Sequence, residues 1–142
     1  MRLLLSAALT ALALPALADG VTTYATDYSF DDAACAVGTA IVGRGLVIDY
    51  VSHVGEMLAR TKDDVGGTMD LFDDADVFLF CSATASRAVM EADPMNIAHC
   101  PYGVFVTGKG DEVMIGYRNM PDGPMQEVQA LLDDIAREAA GQ

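Results

Sequence analysis

Two strand-like segments joined by a glycine-rich turn constrain the fold of this chain most. Tyr102 to Thr107 and Val113 to Tyr117 are rich in β-branched and aromatic residues, and Gly108-Lys109-Gly110-Asp111 lies between them. A turn of this composition favours a hairpin, in which the two strands run antiparallel. The hairpin therefore argues against a fully parallel, doubly wound sheet.

Strand and helix patterns alternate before the hairpin. Val21 to Thr26 and Leu46 to Val51 favour strands, and Val77 to Phe80 is an unbroken apolar run. Such a run is typical of a central strand that is buried on both faces or lies at a dimer interface. With helical patterns after each of these strands and at the C-terminus, the order is β-α-β-α-β-α-β-β-α. This order predicts a two-layer α+β domain in which a mixed or largely antiparallel sheet packs against helices.

Local signals predict the ends and the buried faces of the helices. Ser29 and Ser82 are expected to cap helices. Cys35, beside the inner stripe of the first helix, is expected to be a small buried thiol, and Leu71 and Phe72 are expected to reach the core from a polar loop. The inner stripe predicted for the last helix consists of Met125, Val128, Leu132, Ile135 and Ala139.

The N-terminus has the layout of an export signal. Met1-Arg2 is positively charged, Leu3 to Leu14 is an apolar run too short to span a bilayer, and Ala16-Leu17-Ala18 fits the small-x-small cleavage rule. We expect residues 1–18 to be a signal peptide and residues 19–142 to be a single α+β domain. The protein is then expected to be periplasmic or secreted, without membrane insertion after signal cleavage.

The charge balance limits the partners that this chain is expected to bind. It has 8 Lys and Arg against 21 Asp and Glu, for a formal net charge of −13. Nucleic acid and anionic lipid repel such a protein. The acidity suits solubility, and it would suit a basic periplasmic protein as a partner.

Two cysteines and a histidine are the residues with the clearest chemical potential. The sequence has no glycine-rich phosphate loop, no zinc-protease or hydrolase motif and neither CxxC nor CxxCH. Cys81 ends the apolar strand, and His99-Cys100 precedes the hairpin. Because the chain has three cysteines, at least one is expected to be free or to pair between chains.

The residues leave four interpretations of this region open. Cys81 and Cys100 form a disulfide if their Cα atoms lie within about 7 Å. They could instead be free thiols that serve thiol-disulfide, sulfur-compound or electron-transfer chemistry. A third possibility is a metal or haem site that uses Cys81, His99 and Cys100, with His53 as a distant further ligand. The fourth is that the two cysteines are buried and unrelated.

If the hairpin is adjacent to the apolar strand, the two sulfurs approach each other. The helix after Cys81 would then point its N-terminus towards the thiol and lower the pKa of Cys81. This predicts that Cys81 is the nucleophile, that Cys100 is the resolving partner, and that Cys81 is more accessible than Cys35. Arg87 and Arg118 are candidate anion-binding residues near the same region.

The chain also resembles a known family, domain of unknown function 302, from about Thr22 to Met120. The resemblance implies a compact, dimeric α+β domain and no established reaction or cofactor. Since members often have one or neither of the two cysteines, the chain resembles an exported branch that has both. The segments that carry the resemblance are Tyr28-Ser29-Phe30-Asp31, Gly45-Leu46, His53 to Thr61, Phe80-Cys81-Ser82-Ala83, Met90 to Pro94, Asn96-Ile97, Cys100-Pro101-Tyr102 and Tyr117 to Pro121.

We therefore expect a small periplasmic accessory or binding protein whose Cys81/Cys100 region is its functional end. The alternatives are a metal or haem binder and a dimeric interaction module without chemistry. The sequence does not decide whether the protein is an enzyme.

Overall fold

The structure is a computed structural model that describes residues 16–18 and 20–142, with only the backbone of the first three. The predicted signal peptide therefore lies largely outside the described residues, as does Asp19. Ala16–Ala18 forms a short strand that pairs antiparallel with Val21 to Thr23.

The described residues form one six-stranded sheet in which every neighbouring pair of strands is antiparallel. The order across the sheet is β1-β2-β6-β5-β4-β3, so β5 and β4 are flanked on both sides by other strands. The strands are β1 (Ala16–Ala18), β2 (Val21–Thr26), β3 (Val47–Ser52), β4 (Asp74–Cys81), β5 (Tyr102–Lys109) and β6 (Glu112–Arg118).

Helices cover one face of this sheet. The core between the two layers includes Phe80 and Tyr102 from the sheet and Ile41, Leu132 and Ile135 from the helices, all fully buried. The helices are α1 (Phe30–Gly43), α2 (Val54–Thr61), α3 (Ala83–Ala92) and α4 (Gln126–Ala140), and a 3-10 helix spans Pro94–His99.

Local sequence signals account for the helix ends. The Ser29 hydroxyl accepts the backbone N–H of Asp32 at 3.1 Å and starts α1. The Ser82 hydroxyl accepts the backbone N–H of Ala85 at 3.3 Å and starts α3. Gly141, with φ +76°, ends α4 in the left-handed conformation that glycine adopts without strain. The inner stripe predicted for α4 is buried in full.

The predicted α+β class and the predicted order of elements from Val21 onward are confirmed. The first alternative for the apolar strand β4, burial on both faces within one chain, is wrong, while the alternative of a dimer interface stays a prediction. Phe78 and Phe80 of β4 are buried under the helices, but Val77 and Leu79 on the other face are only half-buried. Helices α1, α3 and α4 pack on one side of the sheet, so we call the opposite side the open face.

Two predictions about single apolar residues are also wrong. Cys35 is exposed, because it lies two residues from both Ala33 and Val37 and two residues correspond to about 200° around a helix. Leu71 and Phe72 are 52% and 38% exposed, respectively, and they line a cleft beside α2 instead of reaching the core.

None of the helices within the described residues combines the length and the apolar character needed to cross a membrane.

Candidate functional site

The structure brings Cys81 and Cys100 together at one end of the sheet. Cys81 is the last residue of β4, and Cys100 follows the 3-10 helix just before β5. The pairing of Phe80 with Tyr102 aligns these strand ends, and the two sulfur atoms lie 2.6 Å apart. Both cysteines are free and half-buried. The predicted proximity of the sulfurs is therefore confirmed.

The segment between the cysteines is held by its own hydrogen bonds. Asp93 ends α3 and its carboxylate accepts the backbone N–H of Met95 at 2.9 Å, which starts the 3-10 helix. The side-chain amide of Asn96 donates to the carbonyl of Val89 at 2.8 Å and ties the 3-10 helix to α3. After these contacts the chain enters β5, the strand beside β4. The Cys100-Pro101 peptide bond is cis.

Burial, and not the helix terminus, dominates the acidity of Cys81. Burial raises the pKa of the Cys81 thiol to about 12, and the hydrogen bond and charge of Cys100 add to the effect. The negative charge of Asp49 acts in the same direction, while the backbone of Tyr102 opposes it. The predicted lowering of the Cys81 pKa is therefore wrong, and so is the prediction that Cys81 is more accessible than Cys35.

A groove of about 320 Å³ lies on the open face, and its lining includes the two chain neighbours of Cys100. A Cβ atom at Gly116 would lie 2.5 Å from the Phe105 ring, so this ring lies directly over the glycine. At Gly103 the same atom would lie 3.3 Å from Leu79, so the absence of a side chain keeps the floor of the groove low. The residues that line the groove are Val21, Val77, Leu79, Ala98, His99, Pro101, Gly103, Phe105, Arg118 and Met120.

The other predicted polar candidates lie in different environments. His99 lines the groove, while its neighbour Cys100 contacts Cys81. Arg118 also lines the groove and is exposed. Arg87 instead pairs with Glu91 one helical turn further along the exposed side of α3.

His53 is remote from the cysteines. Its Nδ1 lies 2.7 Å from the carboxylate of Asp76, and this hydrogen bond raises the pKa of His53, as do the charges of Asp76 and Glu56. Asp76 and Cys81 are five residues apart on β4, which corresponds to roughly 16 Å along a strand. Among the described residues, no group of three or more His, Cys, Asp and Glu is placed to hold a metal ion.

Sequence reasoning missed a second polar cluster, which lies on the helix-covered side. The hydroxyls of Tyr24 and Tyr117 both donate to Oδ1 of Asp133, the latter at 2.8 Å. Burial and the hydrogen bond to Asp133 raise the pKa of Tyr24 to about 12, and the same causes raise the pKa of Tyr117. The only signal in the sequence was the position of Asp133 next to Leu132, at the border of the buried stripe of α4.

Comparison with known proteins identifies the family. The family described as "Domain of unknown function DUF302" matches residues 22–141. This chain belongs to the DUF302 family. The match includes both cysteines, the tyrosine cluster and every groove residue except Val21.

A solved relative has the same fold. The crystal structure of an uncharacterized conserved DUF302 protein from Bacillus stearothermophilus superposes with a TM-score of 0.61 at 14% sequence identity. The match covers 87% of this chain and 95% of that chain. No curated protein matches the sequence. At this identity the likeness concerns the fold alone.

Proposed function

We propose that this DUF302 protein is a small periplasmic accessory protein whose Cys81–Cys100 pair exchanges between a dithiol and a disulfide with a sulfur-containing substrate. The observation that carries the proposal is the 2.6 Å separation of the two sulfurs. Export would place the pair in a compartment where disulfides form and persist.

The difference between the two cysteines suggests the order of events. A thiolate, and not a thiol, attacks a disulfide, and Cys81 holds its proton because its pKa is raised to about 12. Cys100 therefore makes the first attack. Its thiolate binds one sulfur of an organic disulfide and displaces the other, which takes up a proton and leaves as the first thiol.

Cys81 then resolves the mixed disulfide. Two of the causes that raise the Cys81 pKa are the hydrogen bond and the charge of Cys100, and both are lost once Cys100 is bonded to the substrate. Cys81 loses its proton and attacks the sulfur of Cys100, so that the Cys81–Cys100 bond forms and the second thiol leaves. The organic disulfide gains two electrons and two protons, and the cysteine pair is oxidised.

The test uses full-length protein with Cys35→Ser, because Cys35 is exposed and would react on its own. Reduced protein is mixed with glutathione disulfide, and the products are followed by mass spectrometry. We expect a product that has lost two hydrogen atoms. With C81S added, the reaction should stop at a glutathione adduct on Cys100. With C100S added, it should be slower by about tenfold or more at neutral pH.

The opposing outcomes are distinct. If both thiols of the folded Cys35→Ser protein stay unreactive towards glutathione disulfide, the proposed exchange reaction is wrong. If C100S reacts as fast as C81S, the assignment of Cys100 as the first nucleophile is wrong. A redox titration in glutathione buffers should give a reversible two-electron transition for the pair.

A further inference from the structure

We infer that the groove on the open face is the substrate site of the cysteine pair and binds a small organic anion with an apolar body. This inference rests on the proposed exchange reaction, and it names the class of substrate: a small anionic disulfide or thiol.

The position of the groove connects it to the sulfurs. His99 and Pro101 both line it, and Cys100 lies between them in the chain. On the other wall Leu79 lines the groove, and Cys81 follows two residues later in the same strand, which places both on the same face of the sheet. A molecule in the groove therefore contacts residues that lie within two positions of each cysteine in the chain.

The lining suits an apolar body of limited size. Val77 and Leu79 from β4 and Phe105 from β5 are half-buried, so they keep contact area for a ligand. The volume of about 320 Å³ lies at the lower end of the range for small-molecule sites. An aromatic ring can stack or pack edge-on against Phe105.

The charge of the groove selects an anion. Among the seven Lys and Arg of residues 20–142, five pair with a carboxylate. Arg60 and Arg118 form no such ion pair, and of these two residues only Arg118 lines the groove. A guanidinium free of acidic partners in a chain of net charge −13 is suited to bidentate binding of a carboxylate or sulfonate. The His99 imidazole offers a further hydrogen-bonding group.

The same charge disfavours a second copy of this chain as the occupant. Each copy has a formal charge of −13, and two such surfaces repel each other when they meet face to face. We therefore assign the groove to a small molecule, and a dimer across the open face is an outcome that the test must detect.

The first experiment compares two chromogenic aromatic disulfides on the Cys35→Ser protein: anionic dithiobis(nitrobenzoate) and neutral dithiodipyridine. We expect R118Q to slow the reaction with the anionic disulfide by about tenfold, the loss of a charge-assisted contact, and to leave the neutral one within about twofold. The matched control is R87Q, which removes an arginine already paired with Glu91 and should change neither rate. Equal slowing of both disulfides by R118Q would overturn the inference.

The second experiment measures binding without thiol chemistry. Anilinonaphthalene sulfonate, an apolar aromatic anion, is titrated into protein with all three cysteines replaced by serine, and its fluorescence is recorded. We expect R118Q to weaken binding about tenfold and F72S, in the cleft beside α2, to leave it unchanged. Unchanged binding in R118Q, or a dimer in sedimentation velocity that blocks the dye, would overturn the inference. If dye binding depends on Arg118 while the thiols prove inert, the groove stands and the exchange reaction fails.

Discussion

At the scale of single residues, burial and the nearest partner decide the chemistry. Cys81 is half-buried beside Cys100 and its pKa is raised to about 12, whereas Cys35 is exposed on α1. The same rule applies to the tyrosines that share Asp133, which keep their protons because they are buried and donate to a carboxylate. Identical side chains in one chain therefore differ in burial and in the groups that surround them.

His53 gives a pH-dependent prediction. The hydrogen bond to Asp76, the charge of Asp76 and that of Glu56 raise the pKa of His53 above 6.5 in the folded protein. A group whose pKa is raised on folding stabilises the protein fully below its unfolded pKa, and that stability is lost as pH rises through the folded pKa. We expect an NMR titration of the imidazole to give a pKa above 6.5, and D76N to lower it.

The control for His53 is E91Q, which removes a carboxylate that pairs with Arg87 on α3 and should leave the titration unchanged. For the same reason, wild type should exceed H53Q in unfolding free energy by more at acidic pH than at alkaline pH. An imidazole that titrates identically in wild type and D76N would contradict the assigned cause.

At the scale of elements, the close approach of β6 to its two neighbours depends on Gly116. A Cβ atom there would lie 2.5 Å from the Phe105 ring of β5 and 2.6 Å from the backbone oxygen of Thr22 of β2. The backbone oxygen belongs to a paired strand and cannot move aside without disturbing the sheet. We expect Gly116→Ala to lower the free energy of unfolding by about 1–3 kcal/mol, measured by urea denaturation.

The matched control is Gly43→Ala, since nothing lies within 4 Å of a Cβ atom at that position. Gly43 is the last residue of α1, where alanine is preferred to glycine, so this change should be neutral or stabilise by up to about 1 kcal/mol. Equal effects of the two substitutions would mean that packing at Gly116 is looser than these distances indicate.

At the scale of the whole molecule, the arrangement of the layers places the candidate site. Helices α1, α3 and α4 cover one face of the sheet, and the groove lies on the open face. Both cysteines lie at the same end of two adjacent strands, Cys81 at the end of β4 and Cys100 just before β5.

The export prediction belongs to the whole molecule as well. Ala16 and Ala18 have the small side chains that a signal peptidase requires, so protein purified from its native host should begin at Asp19. N-terminal sequencing checks this, and a variant with leucine at positions 16 and 18 should retain its leader. A folded native protein that begins at Met1 would contradict both the compartment and the expected redox environment.

Much of the fold could be predicted from the sequence because its signals are local. The caps at Ser29 and Ser82, the stripe of α4 and the turn at Gly108 to Asp111 each depend on residues within a few positions of one another. Hydrogen-bonding and steric preferences act over such distances regardless of the rest of the chain. These signals were sufficient for the α+β class and the order of elements, whereas the proximity of the two sulfurs also required the hairpin to pair with the apolar strand.

The tertiary structure alone decided how these residues behave. The raised pKa of Cys81 and the pairing of Asp133 with two tyrosines depend on burial and on contacts between segments far apart in sequence. The Phe105 ring of the groove lies over Gly116 because β5 and β6 pair in a register that sets Phe105 opposite Gly116. Strand register and layer packing are set by the whole chain, so no local pattern contains them.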